Sequence, residues 1–167
     1  MKRTAPWLLL LSALPLLAGE PDHANCPMHA KHRAAEVDRR GDEAMGFSHE
    51  KTRHTFVLLE DGGAIEVRAN DAADAESVKA IRSHLVEIAK LFTAGDFATP
   101  LFIHGQLPDG TAEMKALGAK ITYRYEEIER GGRVRIVAKE GKDAVHRFLR
   151  FQIQDHRTGD HEHVTNR

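Results

Sequence analysis

Seven side chains that bind soft or borderline metal ions lie in the short stretch from Cys26 to His54. They are one thiol, two thioethers and four imidazoles, contributed by Cys26, Met28, His29, His32, Met45, His49 and His54. Thiolate and thioether sulfur select Cu(I), whereas imidazole suits copper and zinc alike. The stretch therefore predicts a metal site, with a copper ion first and a zinc ion as the alternative.

The first four of these donors fall at the start of a predicted helix over residues 27–40. Pro27 suits the first helical position and Gly41 is a typical stop signal. Cys26, His29 and His32 then follow an i, i+3, i+6 row. We predict that this helix captures the metal, and that Met45, His49 or His54 completes the coordination shell if the helix folds back. The alternative is a solvated helix with incidental histidines.

A second group of histidines lies in the polar tail, residues 156–167, which contains His156, His161 and His163. Short histidine-containing tracts bind divalent metals weakly. We therefore predict a weak metal site there, with a frayed polar end as the alternative.

Residues 1–19 have the order of a secretory signal peptide. Lys2 and Arg3 precede an apolar run over residues 7–17, and Ala18 and Gly19 supply small residues for cleavage. We predict a periplasmic or secreted protein with no membrane span after cleavage. That compartment is oxidising, but the sequence contains one cysteine and therefore cannot form an internal disulfide.

Composition and motifs narrow the function classes. The formal net charge of −1 for 167 residues does not favour binding to nucleic acid. No nucleophile-elbow, phosphate-loop, dinucleotide or zinc-protease motif occurs in the sequence. The chain therefore offers no candidate catalytic residue, and an enzyme is the less favoured class, with a metal at an open coordination site as its one route.

The rest of the chain predicts an α+β fold built from two hairpin–helix units. The predicted strands and helices, with turns at Asp61-Gly62-Gly63 and Gly131-Gly132, are 52–59, 64–69 and 75–93, then 121–129, 133–139 and 143–155. They give a two-layer domain in the order ββαββα, with a four-stranded antiparallel sheet and the N-terminal helix added. The boundaries are a signal peptide over 1–19, an N-terminal metal-binding segment over 20–51, the domain over 52–155 and the tail over 156–167.

Alternation along the strands assigns the two sheet faces. The helix-facing side chains are predicted to include Ile65, Val67, Tyr123, Tyr125, Val134 and Ile136. The outer face is predicted to carry ion pairs between Glu66, Arg68, Arg124, Glu126, Arg133 and Arg135. Among the other histidines, His84 is predicted at the edge of the core and His146 in solvent. Residues 101–104 are predicted as a short extended piece.

Two segments resemble known proteins. The C-P-M-H segment at Cys26 to His29 resembles the heavy-metal-binding module of copper and silver efflux adaptors, and this resemblance implies soft-metal ligation by Cys26, Met28 and His29. The segments M-G-F-S-H-E-K-T-R-H-T-F and F-L-R-F-Q-I-Q-D-H-R-T-G-D look like a widespread family of exported bacterial proteins. That resemblance implies a domain of this size and no particular activity.

The leading hypothesis is an exported metal-binding protein that serves as a chaperone, buffer or resistance factor. Its partners are then the metal ion and, as a further candidate, another envelope protein. The alternative hypothesis is an extracytoplasmic binding or structural module with no metal role, with its site near residues 97–104.

Overall fold

A four-stranded antiparallel sheet with the strand order β1-β2-β4-β3 forms one layer of the fold. The structure is a computed structural model that describes residues 27–165. Its strands are β1 (Thr52–Leu59), β2 (Gly62–Ala69), β3 (Ile121–Ile128) and β4 (Gly131–Ala138). Each hairpin pairs its own two strands, and β2 pairs with β4 to join the hairpins.

Helices form the second layer. Within residues 27–165 they are α1 (Pro27–Met45), α2 (Ala75–Thr93), α3 (Ala98–His104), α4 (Thr111–Leu117) and α5 (Lys142–His156). Short 3-10 turns at His49–Lys51 and Gly118–Lys120 lead into β1 and β3. The predicted α+β fold is confirmed, with a helix after each hairpin and with α3 and α4 between the two units.

The core lies between the sheet and the helices α2 and α5. Val67, Val134 and Ile136 are fully buried on the sheet side. The helices contribute apolar stripes that are buried against them, from Ile81, Leu85, Ile88 and Phe92 on α2 and from Val145, Phe148, Leu149 and Ile153 on α5. The predicted core face is confirmed, because residues three and four apart on each helix line the same side.

The paired glycines have a different role from the one predicted. The hairpin turns are residues 60–61 and 129–130, and each glycine pair begins the following strand. A Cβ on Gly63 would lie 2.2 Å from Leu149 Cδ1 and 2.6 Å from the Val57 carbonyl oxygen. Glycine is therefore required there for α5 to approach the sheet.

The outer sheet face carries part of the predicted set of ion pairs, around Glu66, which is only 5% exposed. Within residues 27–165, Arg124 of that set forms no ion pair. The two carboxylate oxygens of Glu66 accept hydrogen bonds from Arg133 Nε at 2.7 Å and from Arg68 Nη1 at 2.6 Å. Burial acts to raise the pKa of Glu66, but the two guanidinium groups outweigh it and the pKa is lowered.

Three further local predictions are wrong. Helix α1 does not stop at Gly41 but continues to Met45, because tertiary packing of Val37 and Met45 outweighs the low helix propensity of glycine. Gly46, with φ +74°, follows the helix end. Residues 101–104 belong to helix α3, where Pro100 occupies the first turn and its missing N–H costs no helical hydrogen bond.

The third wrong prediction is that His146 faces solvent. His146 is 4% exposed, and its Nε2 lies 2.9 Å from the Leu59 carbonyl oxygen and 3.0 Å from that of Gly62. The β1–β2 turn therefore covers the side of α5 that the helical pattern alone left facing solvent.

A histidine-lined cavity as candidate functional site

A cavity of about 50 Å³, partly open to solvent, lies at the edge of the core between the β1–β2 hairpin and helices α2, α3 and α5. Much of its wall is apolar and includes Phe56, Ile65, Leu85 and Phe148. The rest is unusual beside a core, because it consists of one thioether, one amide, one hydroxyl and four imidazoles, from Met45, Gln152, Thr99, His54, His84, His104 and His156. The volume suits an ion or a few water molecules and is far below that of an organic cofactor site.

Four different elements supply the four imidazoles. His54 shares the helix-facing side of β1 with Phe56, and His84 lies on α2 between Ile81 and Ile88. His104 and His156 are the last residues of α3 and α5. The folding of the whole domain therefore brings these rings together, although they are far apart along the chain.

The rings of three of these histidines are close neighbours. The His54 and His156 ring centroids are 5.5 Å apart, with the planes 4° from parallel. The His104 and His156 centroids are 4.9 Å apart, with the planes at 83°. His84 lies farther along the wall and contacts Phe47 edge to face at a centroid distance of 5.7 Å.

Burial keeps three of these imidazoles neutral. It lowers the pKa of both His54 and His84 from 6.5 to about 4, and the charge of a protonated His84 also acts to lower the pKa of His54. The pKa of His156 is lowered well below 6.5, by burial first and then by His54 and His104. Within residues 27–165, the ring nitrogens of these three histidines take part in no hydrogen bond. Their lone pairs are therefore available to a ligand at neutral pH.

His104 is held differently, because both of its ring nitrogens are engaged. Nδ1 lies 2.5 Å from Asp155 Oδ2, and Nε2 lies 2.9 Å from Gln152 Oε1. Arg33 of α1 donates to the other oxygen of Asp155 at 2.8 Å. Burial acts to raise the pKa of Asp155, but the bonds from His104 and Arg33 outweigh it and the pKa is lowered. The opposite end of the Gln152 amide, Nε2, is buried without a hydrogen-bond acceptor.

The predicted metal ligands divide into two sets. Met45, His54 and His156 line the cavity. The α1 donors Met28, His29 and His32 are exposed, and His29 and His32 line a surface groove whose wall also includes His104. Cys26 and the predicted signal peptide over 1–19 lie outside the described residues.

The remaining predicted ligands are separate from both sets. His49 Nδ1 lies 3.0 Å from each carboxylate oxygen of Asp42, at the end of α1. His161 and His163 are exposed in the tail. In the part of the chain that the structure describes, no three or more histidine, cysteine or acidic side chains are already arranged to hold a metal ion.

Sequence reasoning did not select His84 and His104 as site residues. His84 interrupts the apolar stripe of α2, and a polar residue between Ile81 and Ile88 was the available signal. His104 gave less signal, since its place depends on how α3 packs against α5, a contact between segments about fifty residues apart.

Comparisons with protein-family models, with curated proteins and with solved structures find no match to this chain. Among the helices within residues 27–165, none has both the length and the apolar character needed to cross a membrane.

Proposed function

We propose that this chain is an exported metal-binding protein, for copper first and zinc second, acting as a chaperone, buffer or resistance factor. One observation carries the proposal. Met45, His54 and His156, three donors selected from the sequence, line a single cavity together with His84 and His104. A water-sized cavity lined by four imidazoles is unusual at the edge of a protein core, where polar groups are normally hydrogen-bonded.

The chemistry of the donors suits the proposed metals. A ligating imidazole must be neutral, and the lowered pKa values of His54 and His84 keep both rings neutral at pH 7. Thioether sulfur favours Cu(I), whereas a purely imidazole set suits zinc as well. Met45 is therefore the residue whose contribution separates the two metals.

The spacing of the rings also supports a shared ion. With metal–nitrogen bonds of about 2.0–2.1 Å, two imidazoles on one tetrahedral ion have centroids roughly 5 Å apart. The His54–His156 and His104–His156 distances of 5.5 and 4.9 Å fall near that value. The parallel planes of His54 and His156 do not suit it, so binding requires one of these rings to turn about its χ2 angle.

His104 has the surroundings of a metal ligand. A ligating histidine usually donates its second ring N–H to a carboxylate, which fixes the ring and raises its basicity. Asp155 stands in that relation to His104 Nδ1, and Arg33 holds Asp155 in turn. In this proposal, Nε2 of His104 binds the metal after the Gln152 amide moves aside.

The N-terminal donors form the outer set in this proposal. Cys26, Met28, His29 and His32 capture the metal first, and the groove beside His29 and His32 borders His104. Capture by the N-terminal donors and retention by the cavity donors are thus separate steps, and different variants test them.

Competition of the full mature chain against a calibrated Cu(I) chelator, repeated with Zn(II), tests the proposal. The interior variant is His54→Phe with His156→Phe, which keeps aromatic volume in the core. We expect it to weaken Cu(I) binding at least tenfold. The matched control, His161→Phe with His163→Phe, removes two exposed imidazoles and is expected to change only weak uptake.

Two further variants separate the metals and the ligand sets. Met45→Leu is expected to weaken Cu(I) more than Zn(II), since only the thioether is lost. Cys26→Ser with His29→Ala removes outer donors while leaving the cavity intact. If the interior variant binds both metals as tightly as the unmodified chain, the interior site is wrong. If combining it with the outer variant also changes nothing, a binding or structural module with no metal role replaces the proposal.

A further inference from the structure

The two edges of the sheet differ. At the β1 edge, the tail supplies hydrogen-bond partners: Phe56 N donates to Asp160 Oδ2 at 2.9 Å, and Thr165 N donates to the Leu58 carbonyl oxygen at 2.9 Å. At the opposite edge, no backbone group of β3 bonds to anything except β4 within residues 27–165. An eight-residue strand thus presents an open edge, which is a template for pairing with another chain.

The register shows which backbone groups face outward. Lys139 N donates to the Lys120 carbonyl oxygen at 3.0 Å, and bonded pairs alternate along an antiparallel ladder. Counted from Lys120, every second residue of β3 bonds to β4, and these residues include Arg124 and Glu126. Tyr123, Tyr125 and Glu127 direct their N–H and C=O groups to the open edge.

The outer face of this strand carries an unbalanced cation. Arg124 is exposed and lies directly opposite Arg135 of β4. Within residues 27–165 the Arg124 side chain makes no ion pair, whereas Arg135 pairs with Asp61. Like charges at directly opposed positions destabilise a sheet, so an acidic group beside Arg124 would be favourable.

We propose that the β3 edge binds the β3 edge of a second copy of this chain, antiparallel, with the two-fold axis at Tyr125. In this register Arg124 lies opposite Glu126 of the second copy, and the same pair forms again across the axis. The Glu126 side chain is 36% exposed and only its contact to Arg133, at 3.3 Å, occupies it on this side. The strand is therefore complementary in charge to itself.

Neighbouring registers are unfavourable. Only Ile121, Tyr123, Tyr125 and Glu127 direct backbone N–H and C=O groups to the open edge. A different register must therefore again pair these residues with one another, so each step places Tyr125 opposite Tyr123 or Glu127 instead of opposite Tyr125 of the second copy. One step in one direction places Arg124 opposite Arg124, and one step in the other places Glu126 opposite Glu126. The register centred on Tyr125 also uses the strand over nearly its full length and gives a closed two-fold dimer with a continuous eight-stranded sheet.

Charge reversal tests the pairing. Sedimentation equilibrium of the full mature chain over a concentration series should show a monomer–dimer equilibrium. We expect Arg124→Glu and Glu126→Arg each to weaken it about tenfold or more, because each creates two like-charged pairs across the axis. The double variant exchanges the charges and is expected to recover most of the affinity. Arg53→Glu, an exposed arginine on β1, is the matched control and should leave the equilibrium unchanged.

Disulfide capture gives an independent measurement. Directly opposed bonded residues have Cα atoms about 5.5 Å apart, within the range of roughly 4.4–6.8 Å that a disulfide spans. In a Cys26→Ser background, Tyr125→Cys should form a disulfide dimer on mild oxidation, whereas Tyr123→Cys, opposite Glu127 of the second copy, should not. The proposal is overturned by a wild-type chain that stays monomeric at every concentration, or by a double charge variant no tighter than the single ones. Arg124→Glu gains a pair with Arg135 in its own sheet, so its loss of dimer would not reflect unfolding.

Discussion

His54 and His156 stack face to face beside the cavity, with ring centroids 5.5 Å apart and planes 4° from parallel. One ring comes from the first strand and the other from the end of the last helix. Two imidazoles in this arrangement pack well only when neutral, because protonation of both would place like charges at close range. The contact therefore links the stability of the domain to the protonation of its interior.

We predict that the metal-free protein loses stability as the pH falls from 6.5 towards 4. Burial lowers the folded-state pKa of His54 and His84 to about 4, so in this range the unfolded state binds more protons. The stability that each neutral histidine provides is fully present above pH 6.5 and is lost as the pH falls towards 4. It amounts to at most roughly 3 kcal/mol for each histidine. Urea unfolding at a series of pH values, in the presence of a chelator, measures it.

The control for this prediction is His54→Phe, which keeps the stack but cannot be protonated. Its stability should vary less between pH 6.5 and 4 than that of the unmodified chain. The exposed His161→Phe should not alter the profile. A profile that is equally steep for all three proteins would contradict the assignment to His54 and His84.

A second prediction concerns the carboxylate that orients His104. Asp155→Asn weakens the bonds to His104 and Arg33, and we expect a loss of about 1–3 kcal/mol in the free energy of unfolding. Asp38→Asn, which disrupts the more exposed pair with Arg157, should cost only about 0–1 kcal/mol. If both variants lose the same free energy of unfolding, the bond from Asp155 to His104 contributes no more to stability than an exposed ion pair. If the interior metal site exists, Asp155→Asn also weakens metal binding about 10–100-fold.

A third prediction tests the core. Phe148 is 1% exposed and contacts Phe92 and Phe97 edge to face, so Phe148→Ala should cost about 3–5 kcal/mol. Phe102, 46% exposed on α3, provides a matched control, and Phe102→Ala should stay within about ±0.5 kcal/mol. Equilibrium urea denaturation of the two variants measures both values. Similar losses for both would mean that the fold buries a different face.

A fourth prediction concerns export, which rests on the sequence of residues 1–19. Mass spectrometry of protein from the native cell envelope should find an N-terminus near Glu20. Intact Met1 in the soluble cytoplasmic fraction would contradict it.

The sequence predicted the sheet and the long helices well, because these elements repeat a clear pattern. Alternation fixed the inner face of each strand, and the stripe of Ile81, Leu85 and Ile88 fixed the buried side of α2. Short elements were less predictable. The α3 segment is seven residues long, and its helical state depends on packing rather than on periodicity.

The site was predictable only in part, for a related reason. Met45, His54 and His156 were selected because of their donor chemistry, which the sequence displays directly. His84 and His104 join them only after four elements have packed together, and no local pattern reports that convergence. The α1 donors were selected by their mutual spacing, but a shared helix face does not by itself make a buried site.

The tail that bonds along β1 has a consequence for how far any assembly can grow. Asp160 and Thr165 already occupy the Phe56 N–H and the Leu58 carbonyl oxygen, so of the two sheet edges in residues 27–165 the β3 edge is the more open to another chain. In a dimer joined there, the two outermost strands are the β1 strands that the tail partly covers. The tail therefore acts against extension of an eight-stranded sheet into fibres.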